Sequence, residues 1–594
     1  MSGDFSTDQK RYLEGFVSGL QSARAARGLA PIGGTGVAGS SEPTGPDAIH
    51  LKAQDRTVAA GGKLAEQEKW KRTEHPFDAY PRLRDQAAQS QYPKPDDNFR
   101  WRYYGLFYVA PAQNSYMARL RIPNGILKAF QFEGLADLAE RCGGGFTDVT
   151  TRANLQIREI TADHAIHVVE GVQELGLTAR GSGADNIRNV TGSPTAGIDP
   201  HELIDTREMA REWHYHILND RSLYGLPRKF NVAFDGGGII PVLEETNDIG
   251  FQAVMVGDGA GVEAGLWMRL ALGGISGHRD LARPTGVYCR PADCTRIADA
   301  IVRVFIENGN RTDRNKSRLK YVLDSWGFDK LLAAVEEKLG KPLTRIDDAF
   351  IAPRPAFDRQ AHIGVHRQRQ DGLNWIGISL PVGRITSVQM RALAAIARED
   401  GDGDIRLTVW QNLLLSGIPD GKLDQVKARI EACGLDWRAT TLRAGLVACT
   451  GSRGCKFAAA DTKGTALAIA DHVDARMTID RPVNIHLTGC HHSCAQHYIG
   501  DIGFIGARVP LNEDGDTVDG FDLVLGGGFA DQAKIGRAIA TKIRAEDCPR
   551  TVETLLEAWM KQRDNADETF QAFTARHSDD ELRAFAGLPA GSSA

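Results

Sequence analysis

Apolar positions in this chain follow two different periods. Between residues 5 and 28, Tyr12, Leu13, Phe16, Val17 and Leu20 form one apolar stripe at helical spacing. Ser6 and Gln9 stand at capping-box spacing and Gly28 offers a stop, so a helix is predicted there. Gly33 to Pro46 is rich in Gly, Ser, Thr and Pro and reads as a flexible linker. Residues 51–98 are polar with no clear period and read as an extended arm over the surface. From Phe99 onward the pattern is that of a compact protein.

That compact part contains an internal repeat. The segment RLRIPNGILKAFQFEGLADLAERCGGGFTDVTTRANLQI, from Arg119, and GISLPVGRITSVQMRALAAIAREDGDGDIRLTVWQNLLL, from Gly377, both read as strand, Pro-x-Gly turn, helix and strand. Pro123 to Asn154 and Pro381 to Asn412 are each 31 residues. Further along, NVTGS (Asn189–Ser193) matches ACTGS (Ala448–Ser452), and KFNVAFDGG from Lys229 matches PVNIHLTGC from Pro482. Asn231 to Asp248 and Asn484 to Asp501 are both 17 residues, and Gly250 to Gly273 and Gly503 to Gly526 are both 23. Matched spacings of this kind indicate a pseudo-twofold molecule, and the junction of its halves is the natural place for a ligand site.

Strand alternation places the charged residues. YMARLRIP puts Arg119 and Arg121 on one face and Leu120 and Ile122 on the other, and RKFNVAF puts Lys229 and Asn231 opposite Phe230, Val232 and Phe234. A lysine beside an asparagine offers donors to a small anion. Polar segments add Arg188, then Arg152, Gln156 and Arg158, then Arg311, Arg314, Lys316, Arg318 and Lys320. So many guanidiniums in the compact part point to a polyanionic ligand, because arginine pairs carboxylates bidentately. The last run also has a plainer reading as a solvated helix face.

Composition changes the picture little. Length (594 residues) suggests about four folding units. Lys plus Arg is 71 and Asp plus Glu is 76, a net charge of −5 that argues against a nucleic-acid coat. Hydrophobic residues at 42% and charged residues at 25% exclude wholesale disorder. No apolar run approaches the roughly 18 residues of a membrane span, and the N-terminus lacks signal-peptide regions. The expectation is a cytoplasmic protein with no membrane or nucleic-acid partner.

Nine cysteines are too few for a secreted disulfide scaffold. Cys449 and Cys455, and Cys490 and Cys494, sit in two Gly-containing turns, ACTGSRGCKF and TGCHHSCAQH. Four thiolates from two turns can hold an iron–sulfur cluster, whose sulfurs accept from turn N–H groups. Structural zinc and unligated core thiols stay open on these residues alone, although the C-x5-C spacing is loose for zinc. Cys142, Cys289, Cys294, Cys433 and Cys548 form no comparable group and read as small buried hydrophobes. His491 and His492 lie between two of the candidate ligands, as proton donors or as plain turn residues.

Taken together, CTGSRGC, TGCHHSCAQHYIGDIGF, PRKFN, GSPTAGIDP, RLRIPNG and DVTTRANLQIR resemble the siroheme nitrite/sulfite reductase family, in its order and over roughly residues 99–545. The resemblance implies an α+β, duplicated, pseudo-twofold architecture with two ferredoxin-like repeats and two larger α/β domains. It implies a [4Fe–4S] cluster on Cys449, Cys455, Cys490 and Cys494, with Cys494 shared with the siroheme iron. Siroheme carries many carboxylates, and Arg152, Gln156, Arg228, Arg314 and Lys316 are the candidates to hold it. Arg119, Arg188 and Lys229 match the family's substrate residues. Asn231 stands where sulfite reductases typically carry a second lysine, which favours nitrite, a monoanion, over sulfite. The family's second cysteine turn usually reads C-P-N-[SG]-C, and here His491 and His492 replace Pro and Asn.

The implied domains are 1–60 (N-terminal helix and flexible linker), 61–98 (extended arm), 99–165 (first ferredoxin-like repeat), 166–345 (first siroheme-binding α/β domain), 346–425 (second ferredoxin-like repeat) and 426–594 (cluster- and siroheme-binding α/β domain with C-terminal helices). The implied activity is the six-electron reduction of nitrite to ammonium by a monomer. No G-x-G-x-x-G opens a Rossmann unit and no flavin domain is evident, so reduced ferredoxin is the implied electron donor. Sulfite reduction with the same cofactors is the alternative, and a non-catalytic zinc-stapled binding protein is the reading from another class.

Overall fold

The computed structural model describes residues 42–109, 113–354, 357–512 and 514–589. The helix expected over 5–28 and most of the Gly33–Pro46 linker lie outside the described residues. The chain divides into two compact units, Met1–Ala48 and Ile49–Ala594.

Residues 61–98 are not an extended arm. They form helices Glu66–Thr73, Tyr80–Ala88 and the start of Pro95–Trp101, after a helix at Ala48–Ala59. The polar composition hid them because their anchors are charged. Lys71 and Glu68 are both buried and paired, and Lys71 Nζ also donates to Leu226 O at 2.9 Å. Arg82 bridges Asp97 and Glu74. Buried ion pairs leave no hydrophobic stripe for periodicity to find.

The strands of the first repeat are β1 (Leu106–Val109), β2 (Ser115–Arg119), β3 (Ile126–Lys128), β4 (Phe146–Val149) and β5 (Leu155–Ile160). The first larger sheet holds β6 (Thr191–Gly192), β7 (Val232–Asp235), β8 (Ile249–Val256), β9 (Gly265–Leu272), β10 (Arg283–Cys289) and β11 (Thr344–Arg345). The second repeat holds β12 (Gly364–Arg367), β13 (Leu373–Ile378), β14 (Arg384–Thr386), β15 (Asp404–Leu407) and β16 (Leu413–Pro419). The last sheet holds β17 (Leu446–Ala448), β18 (Ile485–Thr488), β19 (Ile502–Pro510), β20 (Thr517–Leu525) and β21 (Arg537–Arg544).

The two repeats exchange a strand. The first sheet runs β1-β2-β5-β4-β14 and the other runs β12-β13-β16-β15-β3, so each takes its outer strand from the opposite repeat. Arg384–Thr386 pairs antiparallel with Phe146–Asp148, and Ile126–Lys128 with Asp404–Arg406. The matched Pro-x-Gly turns make the exchange. Asn124 at φ +61° and Val382 at φ +48° hold left-handed backbone and throw the next strand away from its own sheet. Gln131 and Gln389 accept from the backbone N–H of Lys128 and Thr386 at 2.9 and 3.0 Å, starting equivalent helices. Those helices, Ala129–Cys142 and Ser387–Asp400, bury Phe132, Leu135 and Ala139 against Met390, Leu393 and Ala397 in one core. Arg391 and Arg398 close the seam on Asp137 and Glu133.

The two larger sheets share a topology. β6, β7 and β8 are parallel, and β9 and β10 return antiparallel. β17, β18 and β19 are parallel, and β20 and β21 return antiparallel. The 17-residue spacing in each half has a direct cause. The carboxylate of Asp248 accepts from Asn231 N–H at 2.8 Å, and that of Asp501 accepts from Asn484 N–H at 2.8 Å. Each carboxylate pins the start of one parallel strand to the next.

Ile385 in the exchanged β14 is fully buried, whereas Val388 on the adjoining helix is 69% exposed. Ile385→Ala is expected to lower stability to urea unfolding by about 2–5 kcal/mol, and Val388→Ala by less than about 0.5 kcal/mol.

Candidate active site

The repeats and larger domains meet at one cleft enclosing about 1320 Å³, part of it open to solvent. Strand ends and loops deliver cations to it. Arg119 ends β2, half-buried, with its guanidinium 4.7 Å from the centre of the Phe107 ring. The loop after β4 closes through Thr150 N–H to Asn154 O at 2.8 Å, with Ala153 at φ +46°, and presents Arg152. Arg152 donates to Asn247 Oδ1 and Asn189 O, both at 2.9 Å. Arg188 is buried and donates to Ser182 O at 2.6 Å and Ala184 O at 2.7 Å. The alternation expected before β7 is realised, since Phe230, Val232 and Phe234 are in the core while Lys229 and Asn231 line the cleft.

Arg228, Arg314 and Arg318 bring the lining cations to seven, and among the described residues no carboxylate lines the cleft. The compensating acids stand behind. Arg314 binds Asp185 in a fork at 2.8 and 2.7 Å, with Arg228 3.9 Å from the same carboxylate. Arg318 reaches Asp248 Oδ2 at 2.6 Å. Among the described residues, Arg119, Arg152, Arg188 and Lys229 have no carboxylate partner. Burial, with the neighbouring cations, therefore disfavours their charged forms. Burial and then Arg318 pull the Lys229 ammonium down to about 7. Burial brings Arg152 to about 9 and Arg119 to about 10, and burial with Arg119 holds Arg188 well below its ordinary value. Buried Nε atoms of Arg152 and Arg188 and the buried Oδ1 of Asn231 lack partners. An anion in the cleft would complete the two arginine N–H bonds, whereas Asn231 Oδ1 needs a donor.

One cysteine, Cys494, lines it, and Cys449, Cys455 and Cys490 stand near that residue. Cys449 follows β17 and its Sγ accepts from Gly489 N–H at 3.2 Å. The two cysteine turns touch closely, since a Cβ on Gly489 would lie 2.5 Å from Cβ of Ala458. The Cys490 thiol is pushed up to about 11, by burial and by the negative charge that Cys494, Cys455 and Cys449 would carry around it. A thiol so raised is neutral at pH 7 and gives up its proton only when a metal centre binds its sulfur. Arg158, buried beneath, donates to Thr450 and pairs with Asp148 at 2.9 Å, bracing the first turn. Cys494 lines the cleft itself, and its carbonyl accepts from Thr151 Oγ at 3.0 Å.

Most expected residues converge: Arg119, Arg188, Lys229, Asn231, Arg152, Gln156, Arg228, Arg314 and Cys494 all line the cleft. Lys316 does not; it is exposed and outside the lining. The short 3-10 turn Arg314–Lys316 sends it to solvent and returns Arg318, which occupies the position expected of it. Arg121 is also turned away. Its guanidinium donates to the carbonyls of Arg180, Gly181, Ile187 and Arg188, because the chain leaves β2 before it. Gln496 and Thr246, joined at 2.9 Å across the two larger domains, were missed. The adjoining DIGF repeat was the only hint. Cys142, Cys289, Cys294 and Cys548 are buried as expected, and Cys433 is half-buried. Cys289 and Cys294 approach to 3.7 Å without further thiol ligands.

Comparison with known proteins bears on this site. Residues 183–343 and 441–588 match the family "Nitrite and sulphite reductase 4Fe-4S domain", and 110–175 and 366–433 match "Nitrite/Sulfite reductase ferredoxin-like half domain". A ferredoxin–nitrite reductase of Synechococcus elongatus is 37% identical over 78% of this chain and 89% of its own length. The chloroplastic ferredoxin–nitrite reductase of Zea mays is 33% identical over 80% of this chain and 84% of its own. The structure of the Mycobacterium tuberculosis NirA protein superposes with a TM-score of 0.82 at 27% identity, covering 89% of this chain and 99% of that one.

Serine at Cys449 or Cys490 is expected to remove iron and acid-labile sulfide from the purified protein. Cys433→Ser, outside the group, is expected to leave both unchanged.

Proposed function

Because the chain belongs to the nitrite and sulphite reductase family, we propose that it reduces nitrite to ammonium with electrons from reduced ferredoxin, at a siroheme coupled to its iron–sulfur cluster. The observation that carries the reading is a cleft with seven cations, no lining carboxylate, and a cysteine of the metal-binding loop at its wall. A polycarboxylate macrocycle fits that donor set. Arg152, Gln156, Arg228 and Arg314 would hold its carboxylates, with Arg318 in place of Lys316. Cys449, Cys455, Cys490 and Cys494 would hold a [4Fe–4S] cluster, Cys494 from the wall of the cleft itself. When bound, these groups supply the electrons, one at a time, to the anion in the cleft.

The overall change, NO2− + 6 e− + 8 H+ → NH4+ + 2 H2O, needs protons as much as electrons. The chain's own residues serve both binding and proton supply. Arg119, Arg188 and Lys229 attract the anion, and the first two are fixed, Arg119 over an aromatic ring and Arg188 by backbone carbonyls, so little reorganisation is needed when charge changes. Lys229 Nζ has no carboxylate or carbonyl partner, and its pKa of about 7 lets it hold or release a proton near neutrality. Asn231, pinned by its N–H to Asp248, adds a neutral donor where a second lysine would add charge. That suits a monoanion better than a dianion. Among the described residues no helix is long and apolar enough to cross a membrane. We place the enzyme in the cytoplasm as a monomer.

The test is an anaerobic assay with reduced methyl viologen, nitrite and sulfite in parallel. A large kcat/KM preference for nitrite with stoichiometric ammonium supports the reading, and a preference for sulfite overturns its substrate. Asn231→Lys is expected to shift the nitrite-to-sulfite ratio of kcat/KM toward sulfite by about tenfold or more, the scale of one charge pair. A second expectation concerns pH. Lys229 is cationic below its pKa and neutral above it, so nitrite affinity should fall as pH rises through and beyond about 7. Bound anions move that fall upward. Lys229→Met is expected to flatten this dependence and lower kcat/KM by about 10²-fold.

A further inference from the structure

The second cysteine turn carries His491 and His492 between Cys490 and Cys494, and the structure gives one of them a specific contact. His492 Nδ1 lies 3.3 Å from Cys490 Sγ. The ring is held from two sides. Phe457, on the loop carrying Cys455, meets it edge-on with centroids 5.2 Å apart, and His491 lies 4.6 Å away. The backbone carries the same loop against the opposite domain, where a Cβ on Gly277 would lie 3.1 Å from His492 O and 3.3 Å from Ser493 Cβ. The backbone of the loop is thus fixed against Gly277, while the His492 side chain remains exposed.

We propose that His492 is a positioning residue that donates an Nδ1–H hydrogen bond to the Cys490 thiolate and so raises the reduction potential of the iron–sulfur cluster. The physical reason is electrostatic. A reduced cluster carries one more negative charge, spread over its sulfurs, and a donor aimed at a ligand sulfur stabilises that state more than the oxidised one. Cys449 already receives a backbone N–H, from Gly489 at 3.2 Å. Cys490 receives the backbone N–H of His492, and the His492 ring adds a second donor from a side chain, while two further N–H groups of the turn are engaged elsewhere. Ser493 N–H donates to Cys490 O at 3.2 Å and Ala495 N–H to Thr488 Oγ at 3.3 Å. His492 also lines the cleft. One residue therefore touches both the metal loop and the anion site.

The inference rests on the assignment of the cluster to these four cysteines, so cluster content is measured with the potential. The experiment is a redox titration of the intact, loaded protein followed by electron paramagnetic resonance of the cluster. Wild type is compared with His492→Leu, which removes the donor, and His492→Gln, which keeps an N–H. Iron and sulfide per chain equal to wild type, a lower midpoint for His492→Leu and a midpoint near wild type for His492→Gln are the expected result. An unchanged midpoint in His492→Leu with full cluster content overturns the hydrogen bond while leaving the cluster assignment intact. A wild-type protein that binds no cluster overturns the assignment itself. Should His492→Leu fail to fold, His492→Phe, which keeps a ring and has no donor, takes its place: a lowered midpoint with full cluster content supports the hydrogen bond, and an unchanged midpoint overturns it.

Discussion

Like charges crowded into one place govern much of this molecule. Two cations about 6 Å apart at an effective dielectric near 20 repel by roughly 3 kcal/mol, more than an ordinary hydrogen bond returns. Seven line the cleft, so the surrounding structure has to hold them there. It does so in layers. Asp185 and Asp248, both buried, neutralise the outer guanidiniums from behind. Arg188 is held instead by the carbonyls of its own loop, which fix its direction without cancelling its charge. Asp248 has two tasks, since the carboxylate that receives Arg318 also pins Asn231 at the start of β7. Fold and electrostatics are joined at that residue.

Its counterpart shows what duplication kept and what it lost. Asp501 pins Asn484 in the same way and receives Arg359 at 2.9 Å. There the second half diverges. Gln411, the counterpart of Ala153 in its turn, donates to Val149 O and Ala448 O, and Trp410, His486 and Phe529 pack where an open cleft would lie. The half that filled its own cleft provides the cysteine turns instead. One active cleft from two similar halves is the outcome.

Much of this was legible in the sequence because it depends on spacing. The 31- and 17-residue intervals correspond to the exchanged turns and to the two aspartate pins. Strand alternation put Lys229 and Asn231 on the cleft side correctly. It failed for Arg121, which follows the end of β2, where a period of two no longer applies. Lys316 and Arg318 were exchanged because a single 3-10 turn changes which side chain points inward. The helices over residues 66–101 escaped notice because buried ion pairs, such as Lys71 with Glu68, carry no hydrophobic signature. The cysteines were found by composition, but their convergence and the contact of His492 with Cys490 are three-dimensional facts.

The exchanged strands also set a timetable for biosynthesis. β4 leaves the ribosome about 235 residues before β14, its partner at the edge of the first sheet. At roughly 5–20 residues per second, that edge stays bare for some ten to fifty seconds. An unpaired edge is a template for wrong pairing with other chains. β3 waits longer still for β15, over about 276 residues. The nascent first half is therefore a natural client for chaperones, and the native sheets close only when the second half has emerged.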